Sequence, residues 1–135
     1  LARLGLRRAV VVHGQGGLDE ASLAGVNSLR LVKSGVVSSD QLDPEALGLQ
    51  LAPIADLAGG DLATNQAILE AVLQGRASRA QADVVALNAA LVLWAAGLTD
   101  SVAAGLSLAQ QAIANGAGWQ ALERLRAALP APVAG

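Results

Sequence analysis

The chain has 135 residues, room for one ordinary domain and not comfortably for two. Hydrophobic residues make up 53% against 15% charged, and mean hydropathy is +0.48, which excludes a disordered tail. A formal net charge of -2 and an isoelectric point near 5.2 argue against a protein built to hold phosphate backbone, the absence of cysteine excludes disulfides and thiolate zinc sites, and a single histidine excludes a multi-histidine metal centre.

Aromatic residues are 1%, two Trp with no Phe or Tyr, so the core has to be Leu, Ala, Val and Ile, which suits helices packed on a sheet. Leu1 to Gly5 reads as the end of a helix stopped by Gly5. Arg8-Ala-Val-Val-Val-His13 is a β-branched run without polar alternation, expected as a strand buried on both faces as in a parallel sheet. Gly14-Gln15-Gly16-Gly17 ends it, and Leu18-Asp19-Glu20 comes next. Ser28 to Lys33 and Val36 to Ser39 read as a hairpin around the turn Ser34-Gly35. Asp43-Pro44-Glu45 starts a short helical turn closed by Gly48.

From Asp56 the pattern becomes helical. The first helix is expected from about Leu62 to Gln74, capped by Asp61 or Thr64, with Ile68, Leu69, Val72 and Leu73 as its apolar face and Gly75 as its stop. The second is expected to open at Asp83 and run to Ala96, with Leu87, Leu91 and Trp94 aligned. Asp100 or Ser101 opens a third, with Val102, Leu106, Ala109 and Ile113 on one face, ending at Asn115-Gly116. A fourth runs from Trp119 to Leu129 with Leu122, Leu125 and Leu129 aligned, and Pro130 and Pro132 end the order. One buried strand, a hairpin and consecutive helices make an incomplete α/β domain, expected to leave apolar faces uncovered, Trp94 among them. The chain opens on Leu1 and holds no Met, so it is expected to be part of a longer one. The most apolar run, Ala82 to Leu98, carries Asp83 and Asn88 and is shorter than the roughly 18–20 clean residues of a membrane span, so a soluble, cytoplasmic protein is expected.

The chemistry sits in Val12-His13-Gly14-Gln15-Gly16-Gly17-Leu18-Asp19-Glu20, a Gly-rich loop after a strand with two adjacent carboxylates. A dinucleotide fingerprint fails because Asp19 stands where its third glycine belongs, and a P-loop fails because no Gly-Lys-Ser/Thr succeeds the glycines. Two readings stand side by side. In one, adjacent acids on a loop reach toward magnesium shared with substrate phosphates. In the other, a turn leads to a helix whose first-turn acids complement its dipole. His13 is expected to serve as a hydrogen-bonding residue beside the loop.

The stretch Arg8 to Glu20 resembles the corresponding region of anthranilate phosphoribosyltransferases, and the likeness extends along the chain. Pro44-Glu45-Ala46-Leu47-Gly48-Leu49 is similar to the family's Pro-Glu-x-Phe-Gly-Leu stretch, with Leu47 where Phe is usual. Gly59-Gly60-Asp61 with Asn65 and Ile68, then Leu87-Asn88-Ala89-Ala90, then Ser101, Gly105 and Gly116 occur in the family's order. The His-Gly-x-x-Gly-Leu-Asp-Glu phrase is the specific one. The resemblance implies the C-terminal portion of the large α/β domain of a nucleoside phosphorylase/phosphoribosyltransferase-type fold, with residues 1–135 as that segment and the N-terminal helical domain and the first part of the α/β domain absent. It implies transfer of a phosphoribosyl group from phosphoribosyl pyrophosphate to anthranilate in tryptophan biosynthesis, with Mg2+, in a homodimer, without nucleic acid or membrane as partner. Asp19 and Glu20 match the family's magnesium-binding pair. The family's Gly-Thr-Gly-Gly-Asp, Asn-x-Ser-Thr and Lys-His-Gly-Asn motifs and its anthranilate-contacting arginine are not in the chain, so no catalytic residue is assigned here and the main substrate contacts are expected upstream of Leu1. The competing reading is a catalytically inactive, nucleic-acid-binding relative of the same fold, which should lack the acidic pair and show a basic face.

Overall fold

The structure is a computed structural model and describes residues 1–129; Pro130 and Pro132, expected to end the order, lie outside the described residues. A 3-10 turn at Ala2–Leu4, closed by Gly5 in the left-handed region, precedes three strands, β1 (Arg8–His13), β2 (Asn27–Lys33) and β3 (Val36–Leu42). Short 3-10 turns at Glu45–Leu47 and Ile54–Leu57 lead to four helices, α1 (Leu62–Leu73), α2 (Arg79–Ala95), α3 (Val102–Ala114) and α4 (Ala117–Ala128). The order of one strand, a hairpin and then helices is as expected from the sequence.

The sheet corrects one expectation. Its order is β1-β2-β3 and both pairings are antiparallel, with Arg8 opposite Lys33 and His13 opposite Ser28. β1 is half-buried rather than buried on both faces. Val10 and Val12 pack toward the core, whereas Val11 is 53% exposed on the opposite face. An unbroken β-branched run therefore marks a strand with only one face covered among the described residues. The β2–β3 hairpin turns on Ser34-Gly35, both with positive φ (50° and 81°), the geometry that matches the strands' right-handed twist. β3 continues three residues past the expected Ser39, and β2 starts one residue earlier, at Asn27.

The core lies between one sheet face and the α2–α3 pair: Leu23, Leu29, Leu42 and Leu49 meet Ala86, Leu87, Ala90, Leu91, Leu106 and Ala109. Gly105 explains how so small a set of side chains closes the core. A Cβ there would press on the Ala90 backbone, so its absence lets α3 lie directly on α2. Trp94 is buried, with the Arg8 guanidinium 5.6 Å from its ring centre, contrary to the expectation that it would be wet. Arg8 also donates to the carbonyls of Trp94 (3.1 Å) and Thr99 (2.7 Å), tying the start of β1 to the end of α2.

α2 opens four residues before the expected Asp83. Ser78 caps it: its hydroxyl accepts from Gln81 N–H, and the Gln81 side chain accepts from Ser78 N–H. Asp83 is instead buried in the second turn and paired with Arg79 at 3.3 Å. Ser101 caps α3 through Ala104 N–H, as expected. α4 carries no buried residue: Leu122 is half-buried and Leu125 exposed, so the stripe expected there covers little.

Asp61 caps α1 by accepting from Thr64 N–H at 2.8 Å, and its hydrogen bonds with Thr64 hold its carboxyl below the ordinary value of 3.8. A lowered folded value means that the cap's contribution is complete above 3.8 and is lost as pH falls through the folded value. The Thr64 amide resonance should therefore move in acid with a midpoint below 3.8. Asp61→Asn should keep the cap and abolish that movement; an unchanged profile would contradict this assignment.

Candidate functional site

The loop from Gly14 to Glu20 is closed on itself. Gly14 N–H donates to the Leu18 carbonyl at 2.8 Å, and Gly17 N–H donates to the Gly14 carbonyl at 3.0 Å. Gly16 and Gly17 have φ of 88° and 84°, which a side chain would strain. Gly14 is needed for space: a Cβ there would collide with the Glu20 carbonyl oxygen. The Gly-rich phrase is thus a tight return that brings the Glu20 peptide back against the end of β1.

Two asparagines pin the segment from Ala21 to Asn27. Asn27, at the start of β2 and fully buried, accepts from Gln15 N–H (3.2 Å) and Ser22 N–H (2.8 Å). Its amide donates to the carbonyls of Ser22 (3.0 Å), Gly25 (3.2 Å) and Leu42 (3.2 Å). Asn88, on α2, accepts from Ala21 N–H at 2.9 Å and donates to the Ala21 carbonyl at 2.8 Å and the Val84 carbonyl at 3.0 Å. Ala21, Ser22 and Leu23 are wholly buried.

Asp19 and Glu20 lie between these fixed points. Both are exposed, on a loop rather than in the first turn of a helix, so the helix-dipole reading does not describe them. Neither carboxylate has a hydrogen bond or ion pair among the described residues. They stand at one end of an open groove of about 550 Å³ between β1 and α2, with apolar walls from Val10, Val12, Leu91 and Val92 and Arg8 at the far end. No third His, Cys, Asp or Glu joins them among the described residues. Two free carboxylates suit a hard cation that takes its remaining ligands from water and substrate phosphate, and they do not make a closed protein cage. His13 is exposed at the end of β1 and its ring makes no hydrogen bond among the described residues, so the hydrogen-bonding role expected for it is not seen.

Sequence reasoning does not single out Asn27 or Asn88 as site residues. Asn88 sits in the Leu-Asn-Ala-Ala phrase of the family likeness, whereas Asn27 reads as one polar residue between strands. Gly59-Gly60-Asp61 proves to be a helix entrance, as expected: the Asn65 side chain accepts from Gly60 N–H and donates to the Gly60 carbonyl, both at 2.9 Å. The fold also gathers basic residues that are apart in sequence, bringing Lys33 beside Arg7 and Arg8 around a pocket of about 420 Å³. Arg8 is committed to α2 and, at 3.3 Å, to Asp100.

The family described as glycosyl transferase family, a/b domain, matches residues 1–119. An anthranilate phosphoribosyltransferase of Synechococcus sp. RCC307 is 59% identical over 135 residues, spanning 100% of this chain and 39% of that protein. The crystal structure of anthranilate phosphoribosyltransferase from Thermus thermophilus superposes with a TM-score of 0.78 at 39% identity, covering 90% of this chain and 35% of that one. A Saccharomyces cerevisiae anthranilate phosphoribosyltransferase in complex with PRPP and Mg shares the fold, with a TM-score of 0.72 at 24% identity over 84% of this chain and 33% of that one. The chain thus spans about two fifths of the length of the Synechococcus relative.

Proposed function

The chain belongs to the glycosyl transferase family, a/b domain, and on that basis we propose that it is the C-terminal part of an anthranilate phosphoribosyltransferase. The reaction joins the amino nitrogen of anthranilate to the ribose C1 of phosphoribosyl pyrophosphate while the bond from C1 to pyrophosphate breaks. The observation that carries the reading is the closed Gly14–Glu20 loop, which presents Asp19 and Glu20 unpaired at the mouth of a groove. The 59% identity to the Synechococcus relative over the whole chain supports it.

Asp19 and Glu20 would hold Mg2+, a cofactor that the yeast relative binds together with PRPP. When bound, the ion neutralises charge that builds on the departing pyrophosphate. The chain's own contribution is geometric. The bond from Gly14 N–H to the Leu18 carbonyl holds the backbone before the acids, and Asn88 and Asn27 hold the Ala21 and Ser22 peptides after them, so that little backbone ordering is left to the moment of binding. The reading extends to a cytoplasmic homodimer acting on two small molecules, with neither nucleic acid nor membrane as partner. No helix among the described residues is long and apolar enough to cross a membrane. The nucleic-acid-binding alternative predicts loss of the acidic pair, which is present, and a broad basic face, whereas Arg7, Arg8 and Lys33 gather around a pocket in which Arg8 is already engaged.

The test is the decay of anthranilate fluorescence with phosphoribosyl pyrophosphate and magnesium. The full-length protein should consume anthranilate, whereas the isolated 135-residue chain should not, because the motifs that the family resemblance implies for binding both substrates are not within it. A full-length protein without transfer would overturn the function. Transfer by the isolated chain would overturn the reading of it as a partial site.

A further inference from the structure

We propose that Asn88 is the positioning residue of the acidic loop: its clamp on the Ala21 peptide sets the direction in which Asp19 and Glu20 leave the backbone and thereby sets the affinity for the divalent ion. The inference rests on the reading of Asp19 and Glu20 as metal ligands. It comes from how the four residues 18–21 are held. On one side, Leu18 is fixed by accepting from Gly14 N–H at 2.8 Å. On the other, Ala21 has both its N–H and its carbonyl engaged by one side-chain amide, at 2.9 and 2.8 Å. Between these anchors the carboxylates have no partner of their own among the described residues, so nothing but the backbone orients them.

Asn88 is itself rigidly placed. It stands within α2, and the same amide nitrogen that reaches Ala21 also donates to the Val84 carbonyl one turn earlier at 3.0 Å. α2 is the most deeply buried helix, with Leu87 and Ala90 near Asn88 in the sequence fully covered. The loop's geometry is therefore borrowed from the core through one side chain. Asn88 also lines the groove whose mouth holds Asp19 and Glu20, on the wall opposite β1. A group that orients metal ligands without touching the ion governs affinity more than the chemical step at saturation.

In the full-length protein, without either substrate, Mn2+ binding is measured by loss of the free-ion electron paramagnetic resonance signal relative to a protein-free blank. Asn88→Ala should weaken Mn2+ binding by about 10-fold or more. It should raise the magnesium concentration for half-maximal rate in proportion, with kcat largely regained at saturating magnesium. Asn65→Ala, which removes the equivalent amide clamp on Gly60 at the entrance of α1, should leave Mn2+ binding unchanged. If Asn88→Ala does not fold, Asn88→Ser, too short to span both Ala21 groups, should show the same shift. A folded Asn88 variant with wild-type Mn2+ affinity, alongside a D19A/E20A protein that has lost Mn2+, would overturn the positioning role alone. An acid-free protein that binds Mn2+ as well as wild type would overturn the metal reading instead.

Discussion

Turnover of the full-length protein is expected to fall by roughly three orders of magnitude when Asp19 and Glu20 are both replaced by Ala, equivalent to about 4 kcal/mol of lost transition-state stabilisation. The size reflects the proposed chemistry: charge that builds on a departing pyrophosphate has to be met, and no other acid in the described residues stands beside this pair to take over. Each single variant should keep part of the activity at high magnesium, because the remaining carboxylate, water and substrate phosphate still offer oxygen ligands. Stability should change little, within about 0.5 kcal/mol, since both side chains are exposed and unbonded. Steady-state rates across a magnesium series, with a thermal melt of each variant, separate the two effects. A double variant with near-wild-type kcat/KM at ordinary magnesium would overturn the reading of Asp19 and Glu20 as metal ligands.

Asn27→Ala is expected to be the most destabilising single polar substitution, at about 3 kcal/mol. The side chain is wholly buried and makes five hydrogen bonds. Of the groups it satisfies, Ser22 N–H, the Ser22 carbonyl and the Leu42 carbonyl meet it in fully buried bonds, and each would be left without its partner at a cost of about 1 kcal/mol or more. Asn27→Asp keeps the two accepted bonds but turns the three donated ones into a carboxylate facing carbonyls, so it should be no better. Denaturant unfolding of the full-length protein gives the comparison. A loss below about 1 kcal/mol for Asn27→Ala would mean that water replaces the amide and that the hub is not structural.

The two substitutions act on neighbouring parts of one loop with opposite signatures. The acids should matter to rate and hardly to stability, and Asn27 chiefly to stability. Asn88 falls between them, because it joins the folded core to the exposed carboxylates. This is the arrangement expected of a site whose proposed metal-binding groups are surface residues held by buried ones.

Much of the fold is legible in the sequence because it is local. The Ser34-Gly35 turn, the Asp61 and Ser101 caps and the stops at Gly48 and Gly75 each depend on a few adjacent residues, and the structure has them where the residues place them. The Ser78-Arg79-Ala80-Gln81 capping box is equally local, yet Asp83 competes with it as a helix opener on paper; in the fold that carboxylate serves Arg79 inside the helix. The Gly14–Glu20 phrase points to the acidic loop because glycine at those positions has a backbone reason.

The hairpin, the four helices, the apolar seam of α2 and α3, and the pair of acids after β1 are all consequences of residues close together in the chain. The antiparallel course of β1 along β2, with one face covered, is not, since a run of Val carries no record of which face is packed. Nor is the role of Asn27 and Asn88, which look like ordinary polar residues in the chain and become the two fixed points of the site once the elements pack. Their partners lie up to 67 residues away, at Ala21 for Asn88 and at Ser22 and Leu42 for Asn27. The Asn88 bond leaves no periodicity and no local pattern, because it depends on helix and loop being brought together by the Leu and Ala core, whereas the Asn27 bonds, to partners within 15 residues, depend on how the loop folds back on the start of β2 and on the β2–β3 register.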